Sequence, residues 1–139
     1  MKVKFRALKP SDFYEIEAQP RHARLLTWLR ANPLSMYRLT DDPFSFTMEV
    51  NGRAVAACGT THEREIWGIL GGDMRRTMVP FTRYSRAMMA QYTVGGPCWA
   101  SIDRTVPTSV RWALALGMRL VTVDQVGTMD KYWISGDRS

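Results

Sequence analysis

The stretch IWGILGGDMRRTMVPFTRYSRAMM, residues 66 to 89, decides how the rest of the chain is read. An apolar run meets two glycines, then two arginines, and beyond Pro80 the residues take up helical spacing. A strand that passes through a turn into a helix N-terminus suits an anion, because unpaired N–H groups and the helix dipole both favour negative charge there. Glu65 to Leu70 reads as the strand and Gly71-Gly72 as its end. Pro80 reads as part of the first turn of a helix through Phe81 to Tyr92.

Upstream, SFTMEVNGRAVAACGTT (residues 45 to 61) sets Asn51-Gly52 between two strand-like runs. That dipeptide prefers the type I′ turn, so Phe46 to Val50 and Arg53 to Thr60 are expected to pair antiparallel, with the 65 to 70 strand added to the same sheet. VKFRAL at the N-terminus alternates as a strand, and Ser11 or Asp12 can cap a helix running through YEIEAQ. In HARLLTWLRAN, Ala23, Leu26 and Leu29 form a helical stripe with Leu25 and Trp28 alongside, and Asn32-Pro33 stops the helix.

Downstream, Gly95-Gly96-Pro97 breaks the helix and CWASI reads as a buried strand. TVPTSVRWALALG reads as a helix closed by Gly117 at its C′ position. MRLVTVDQV and DKYWI then read as strands around a turn near Gly127, with Val121 and Trp133 as packing residues. The order β, α, α, β, β, β, α, β, α, β, β predicts a single α/β (α+β) domain over residues 1–139, with a mixed, largely antiparallel central sheet flanked by helices.

The chain has 139 residues, 45% of them hydrophobic, enough for one ordinary core. No apolar window approaches the roughly 18 residues of a membrane span, and MKVKFRALKP lacks an apolar signal core. A soluble protein made in the cytoplasm is expected. Cys58, Cys98, His22 and His62 show no ligand spacing, so neither a metal site nor a disulfide framework is expected. The net charge of +6 suits nucleic acid, an anionic cofactor or an acidic partner surface alike. The arginines gather at Arg21, Arg24 and Arg30 and again at Arg75, Arg76, Arg83 and Arg86, without a nucleic-acid motif. Met74, Met78, Met88 and Met89 read as core.

The opening FRALKPSDFYEI, the hairpin NGRAVAACG and the helix VRWALALGM together resemble the GNAT acyltransferases. The run from Ile66 to Arg83, the RWALALG helix and the FRALKPSDF start are similar to a narrower GNAT-like family, the small internal virion protein A of T7-like podoviruses. The wider resemblance implies acetyl-CoA held between the fourth and fifth strands, with its pyrophosphate on a Q/R-x-x-G-x-G/A loop. The narrower one implies a bacteriophage virion protein acting in assembly or ejection, localised to the phage virion, with other phage virion proteins and packaged DNA as partners.

Here DMRRTMVPFTRY stands where that loop belongs, with no glycine after Gly72, and Pro80 contributes no N–H. The cofactor-binding candidates are therefore Gly72 for the turn and Arg75, Arg76 and Arg83, whose guanidinium forks suit phosphate oxygens; a solvated basic surface is the alternative. In the family a tyrosine four residues before the last helix's glycine protonates the leaving thiolate. Here that position is Ala113, with Tyr132 a weak substitute. Glu65 is the candidate catalytic base, with Glu49 and Glu63 behind it. Asp103 either orients a cofactor or caps a helix, as could Thr105 or Thr108. The expectation is a catalytically degenerate GNAT-fold virion component; the alternative is an active acetyl-CoA-dependent N-acetyltransferase acting on an amine.

Overall fold

The hairpin centred on Asn51-Gly52 forms as its turn chemistry dictates. In the computed structural model, which describes residues 1–72 and 74–135 and of Arg21 the backbone alone, β2 (Phe46–Val50) and β3 (Arg53–Thr60) pair antiparallel. Asn51 and Gly52 have φ of 51° and 82°, the left-handed pair that a type I′ turn requires. β1 (Val3–Ala7) pairs with the other side of β2, and β4 (Ile66–Leu70) completes a four-stranded sheet in the order β1-β2-β3-β4.

The described residues divide into two compact units, Met1–Glu63 with Trp67–Met78, and Arg64–Ile66 with the residues from Val79 onward. In the first, α1 (Asp12–Glu15), α2 (Pro20–Ala31) and α3 (Pro33–Thr40) bury one face each. Leu8, Phe13, Ile16, Leu26, Leu29 and Met36 meet Ala54, Ala57 and Ile69 of the sheet to form its core. Two departures from the sequence reading occur here. α1 stops after four residues instead of running through Gln19, since Ile16 turns extended and Ala18 pairs with Gly71. Pro33 ends α2 and also opens α3, a helix the sequence reading left out, by occupying the first position, where its missing N–H is no loss.

The second unit holds α4 (Met78–Tyr92), whose first residue belongs to the other unit, then a short 3-10 turn (Thr93–Gly95) and β5 (Cys98–Asp103). α5 (Pro107–Ala115), β6 (Arg119–Thr122) and β7 (Met129–Ile134) complete it. The sheet order is β5-β7-β6, all antiparallel. α4 buries Phe81, Ser85 and Met89, four residues apart and hence on one face. α5 ends in a complete Schellman motif: Gly117 at φ 91° donates to the Leu114 carbonyl and Met118 to that of Ala113.

The strands therefore form two hydrogen-bonded sheets where the sequence predicted one. The parallel component is a lone bridge between Glu65 and Trp99, with the Trp99 N–H donating to the Arg64 carbonyl at 3.0 Å. Arg64 (φ 66°) stacks over the Tyr92 ring at 4.5 Å and donates to the carbonyls of Tyr92, Gly96 and Pro97. Val121 and Trp133 are exposed, contrary to the packing role expected of them, because every residue of edge strand β6 is exposed and Trp133 points away from the buried face of β7. Cys58 and Cys98 are buried thiols, and Met74 and Met89 lie in the core. Among the described residues no helix is long and apolar enough to cross a membrane.

Candidate functional site

The turn after β4 is built from backbone bonds to the segment joining α1 to α2. The Gln19 N–H donates to the Leu70 carbonyl at 2.8 Å, and the Gly72 N–H donates to the Glu17 carbonyl at 3.0 Å. The Leu70 N–H donates to Nδ1 of His22 at 2.9 Å, which places that ring's remaining proton on Nε2. A Cβ on Gly71 would lie 2.5 Å from the Val55 carbonyl oxygen, so glycine here serves close packing of backbone on backbone. Gly72 has no such constraint; a Cβ there meets nothing within 4 Å.

The approach to α4 is closed in the same way. The N–H groups of Thr77 and Met78 both donate to the Met74 carbonyl, at 3.0 and 2.9 Å. Met74 and Thr77 are buried. A coenzyme pyrophosphate needs several convergent amides at such a turn. In this chain those of Gly72, Thr77 and Met78 already have protein acceptors, so these three amides are committed within the chain. Arg75 and Arg76 are exposed on the same turn and are the cations it presents. Arg83 is exposed on α4, in the second unit, on the helix side opposite Phe81, Ser85 and Met89.

The proton-transfer candidates fall in both units, Glu49 and Glu63 in the first and Glu65, Ala113 and Tyr132 in the second. Glu65 is partly buried, with its backbone engaged in the bridge to Trp99. Glu49 accepts a short bond from Arg6 Nε, and that bond holds its carboxyl below the ordinary range. Glu63 is exposed. Ala113 is fully buried and its carbonyl serves the Schellman cap. Tyr132 is buried on the inner face of its sheet, paired between Ala100 and Leu120.

Asp103 caps no helix: Pro107 opens α5 and Val106 occupies the cap position without a side-chain bond, which also removes Thr105 and Thr108 from that role. The Asp103 carboxylate instead accepts from the Thr105 hydroxyl at 2.7 Å and the Thr105 N–H at 3.0 Å, and these bonds lower its pKa. It forms an Asx turn.

The polar centre that the structure does assemble was missed in the sequence. Asp12 is buried and takes two bonds from Arg6 (2.7 and 2.8 Å), one from the Thr47 hydroxyl (2.7 Å) and one from the Lys9 N–H (2.9 Å). Burial pushes its carboxyl pKa up; Arg6, Thr47 and the Lys9 amide outweigh that and lower it. The spacing of Arg6 and Asp12 in FRALKPSDF was the available signal, and its use is to lock β1, α1 and β2 together. An open cleft of about 390 Å³ adjoins this region, lined by Glu15, Glu17, Leu26, Arg30 and Arg53. Two of its polar groups are committed inward: Arg30 donates to the Phe13 carbonyl at 2.7 Å and Glu15 accepts from the Ala54 N–H at 2.9 Å.

No protein-family model and no curated protein matches the chain. Solved structures do. The PaiA N-acetyltransferase of Thermoplasma acidophilum, in complex with coenzyme A, superposes with a TM-score of 0.69 at 11% identity, covering 97% of this chain and 99% of the other. An aminoglycoside acetyltransferase with coenzyme A gives 0.65 at 11% identity, covering 96% and 95%. YncA, a putative acetyltransferase of Salmonella typhimurium with acetyl-CoA, gives 0.59 at 14%, covering 100% and 96%. The chain therefore has the mixed α+β fold of the GNAT N-acetyltransferases.

Proposed function

We propose that this chain is a GNAT-fold domain that works by contact with other macromolecules, its phosphate turn and proton-transfer positions having passed to structural use. One observation carries the reading: three amides of the turn, those of Gly72, Thr77 and Met78, are donated to the carbonyls of Glu17 and Met74 and so are withdrawn from a pyrophosphate. The absence of a hydroxyl at Ala113 and the burial of Tyr132 support it. A phage particle as the setting, with virion proteins and packaged DNA as partners, rests on the sequence resemblance alone. None of the three compared structures is a virion protein.

The second reading is an acetyl-CoA-dependent N-acyltransferase that grips phosphate through side chains. The exposure of Arg75 and Arg76 on the turn favours it, as does the coenzyme held by structures of the same fold. Calorimetric titration with acetyl-CoA separates the two. The contact role predicts no heat at millimolar ligand. Micromolar binding that Arg75→Ala and Arg76→Ala abolish would overturn it in favour of the enzyme.

A further inference from the structure

Residues 18–40 contain Arg21, Arg24, Arg30 and Arg38 and neither aspartate nor glutamate; acidic residues flank the segment at Glu17 and Asp41. This is the span of α2 and α3, which turn Leu26, Leu29 and Met36 into the core. Folding uses that stripe and leaves other large apolar side chains in water: Leu25, Trp28 at 52% exposure, Leu34, and Tyr37 at 56%. On α2, Arg24 and Leu25 stand four and three residues before Trp28, so the three share a surface. On α3, Tyr37 and Arg38 stand three and four residues after Leu34 and do the same. The Asn32 side chain donates to the Trp28 carbonyl at 2.7 Å, tying the end of α2 to the junction from which α3 starts.

Along α2 and α3 guanidinium groups stand beside exposed rings, and Asp41 is the acid within a helical turn of Tyr37 and Arg38, a pattern complementary to a polyanion that carries planar groups of its own. We propose that the α2–α3 face binds single-stranded nucleic acid, with bases stacking on Trp28 and Tyr37 and phosphates meeting Arg24 and Arg38. Stacking requires unpaired bases, and base–aromatic contact tolerates any sequence because every base has a π-face. Arg30 is left out of the phosphate set because its guanidinium already donates to the Phe13 carbonyl. The inference deepens the contact role proposed above and rests on it. Its ligand and residues differ from those of the coenzyme titration, so the two ideas fail separately.

The test is fluorescence anisotropy of the full chain with a labelled oligothymidylate over a range of salt. Micromolar binding at low salt is expected, with a weaker signal for a duplex of the same length. Trp28→Ala should weaken binding about tenfold, whereas Trp28→Phe, which keeps a ring, should retain most of it. Arg24→Ala and Arg38→Ala should each reduce the magnitude of the log–log salt slope by about 0.7. Absence of binding at low salt overturns the proposal. So does binding that Trp28→Ala and Tyr37→Ala leave unchanged in folded protein, or equal competition by polyglutamate, which would make the face a site for acidic protein.

Discussion

Replacing Asp12 tests what locks the first three elements of the chain. In Asp12→Ala the Arg6 guanidinium loses two of its bonds, and the Thr47 hydroxyl and Lys9 N–H lose their acceptor. Removing one partner of a buried ion pair costs about 3–5 kcal/mol. Arg6 keeps its bond to Glu49 and its side chain is 18% exposed, so the lower end, about 3 kcal/mol, is expected. At roughly 2.1 cal/mol/K of unfolding entropy per residue, 139 residues give about 0.3 kcal/mol/K, and the midpoint should fall by about 10 °C. Asp12→Asn, which keeps the size but turns an amide toward the guanidinium, should lose most of the same amount. Thermal and urea melts would measure both.

The pH dependence has a definite sign. The folded carboxyl has the lower pKa, so its stabilisation is complete above the ordinary carboxylate range and is lost as pH falls below about 4 through the folded value. If both variants melt within about 3 °C of the parent at neutral pH, the Arg6–Asp12 centre does not hold these elements.

Gly71→Ala drives a Cβ toward the Val55 carbonyl and should destabilise by about 1–3 kcal/mol, while Gly72→Ala should stay within about 0.5 kcal/mol; similar melts for the two would refute the packing role of Gly71. Arg64→Lys should lose about 1–2 kcal/mol, since one ammonium cannot reproduce a fork shared among three carbonyls. Hydrogen exchange should rise across residues 92–98, and unchanged protection there would count against this anchor.

The hairpin at Asn51-Gly52, the glycine cap at Gly117 and the strand from Cys98 were legible because each is decided within a few residues by backbone conformation or periodicity. α3 was not, since a proline is a stop for one helix and a start for the next, and only the packing of Met36 on the core selects the second use. α1 was overestimated because Ala18 finds its partner, Gly71, far along the chain. In the candidate site, the missing hydroxyl at Ala113 and the missing glycines after Gly72 could be read directly. The fate of the turn's amides could not: the acceptor of the Gly72 N–H is Glu17, which no local pattern connects to it.

Residue order alone thus determined the element sequence in outline, the α+β class and which chemical groups the site lacks, all consequences of local conformation and side-chain inventory. The tertiary structure alone decided which polar groups meet. It gave the amides of Gly72, Thr77 and Met78 to Glu17 and Met74, built the centre at Asp12, and left Trp28 and Tyr37 in water. The physical reason is that a hydrogen bond or a buried face is satisfied by whatever the fold brings near, and that nearness is a property of the folded chain.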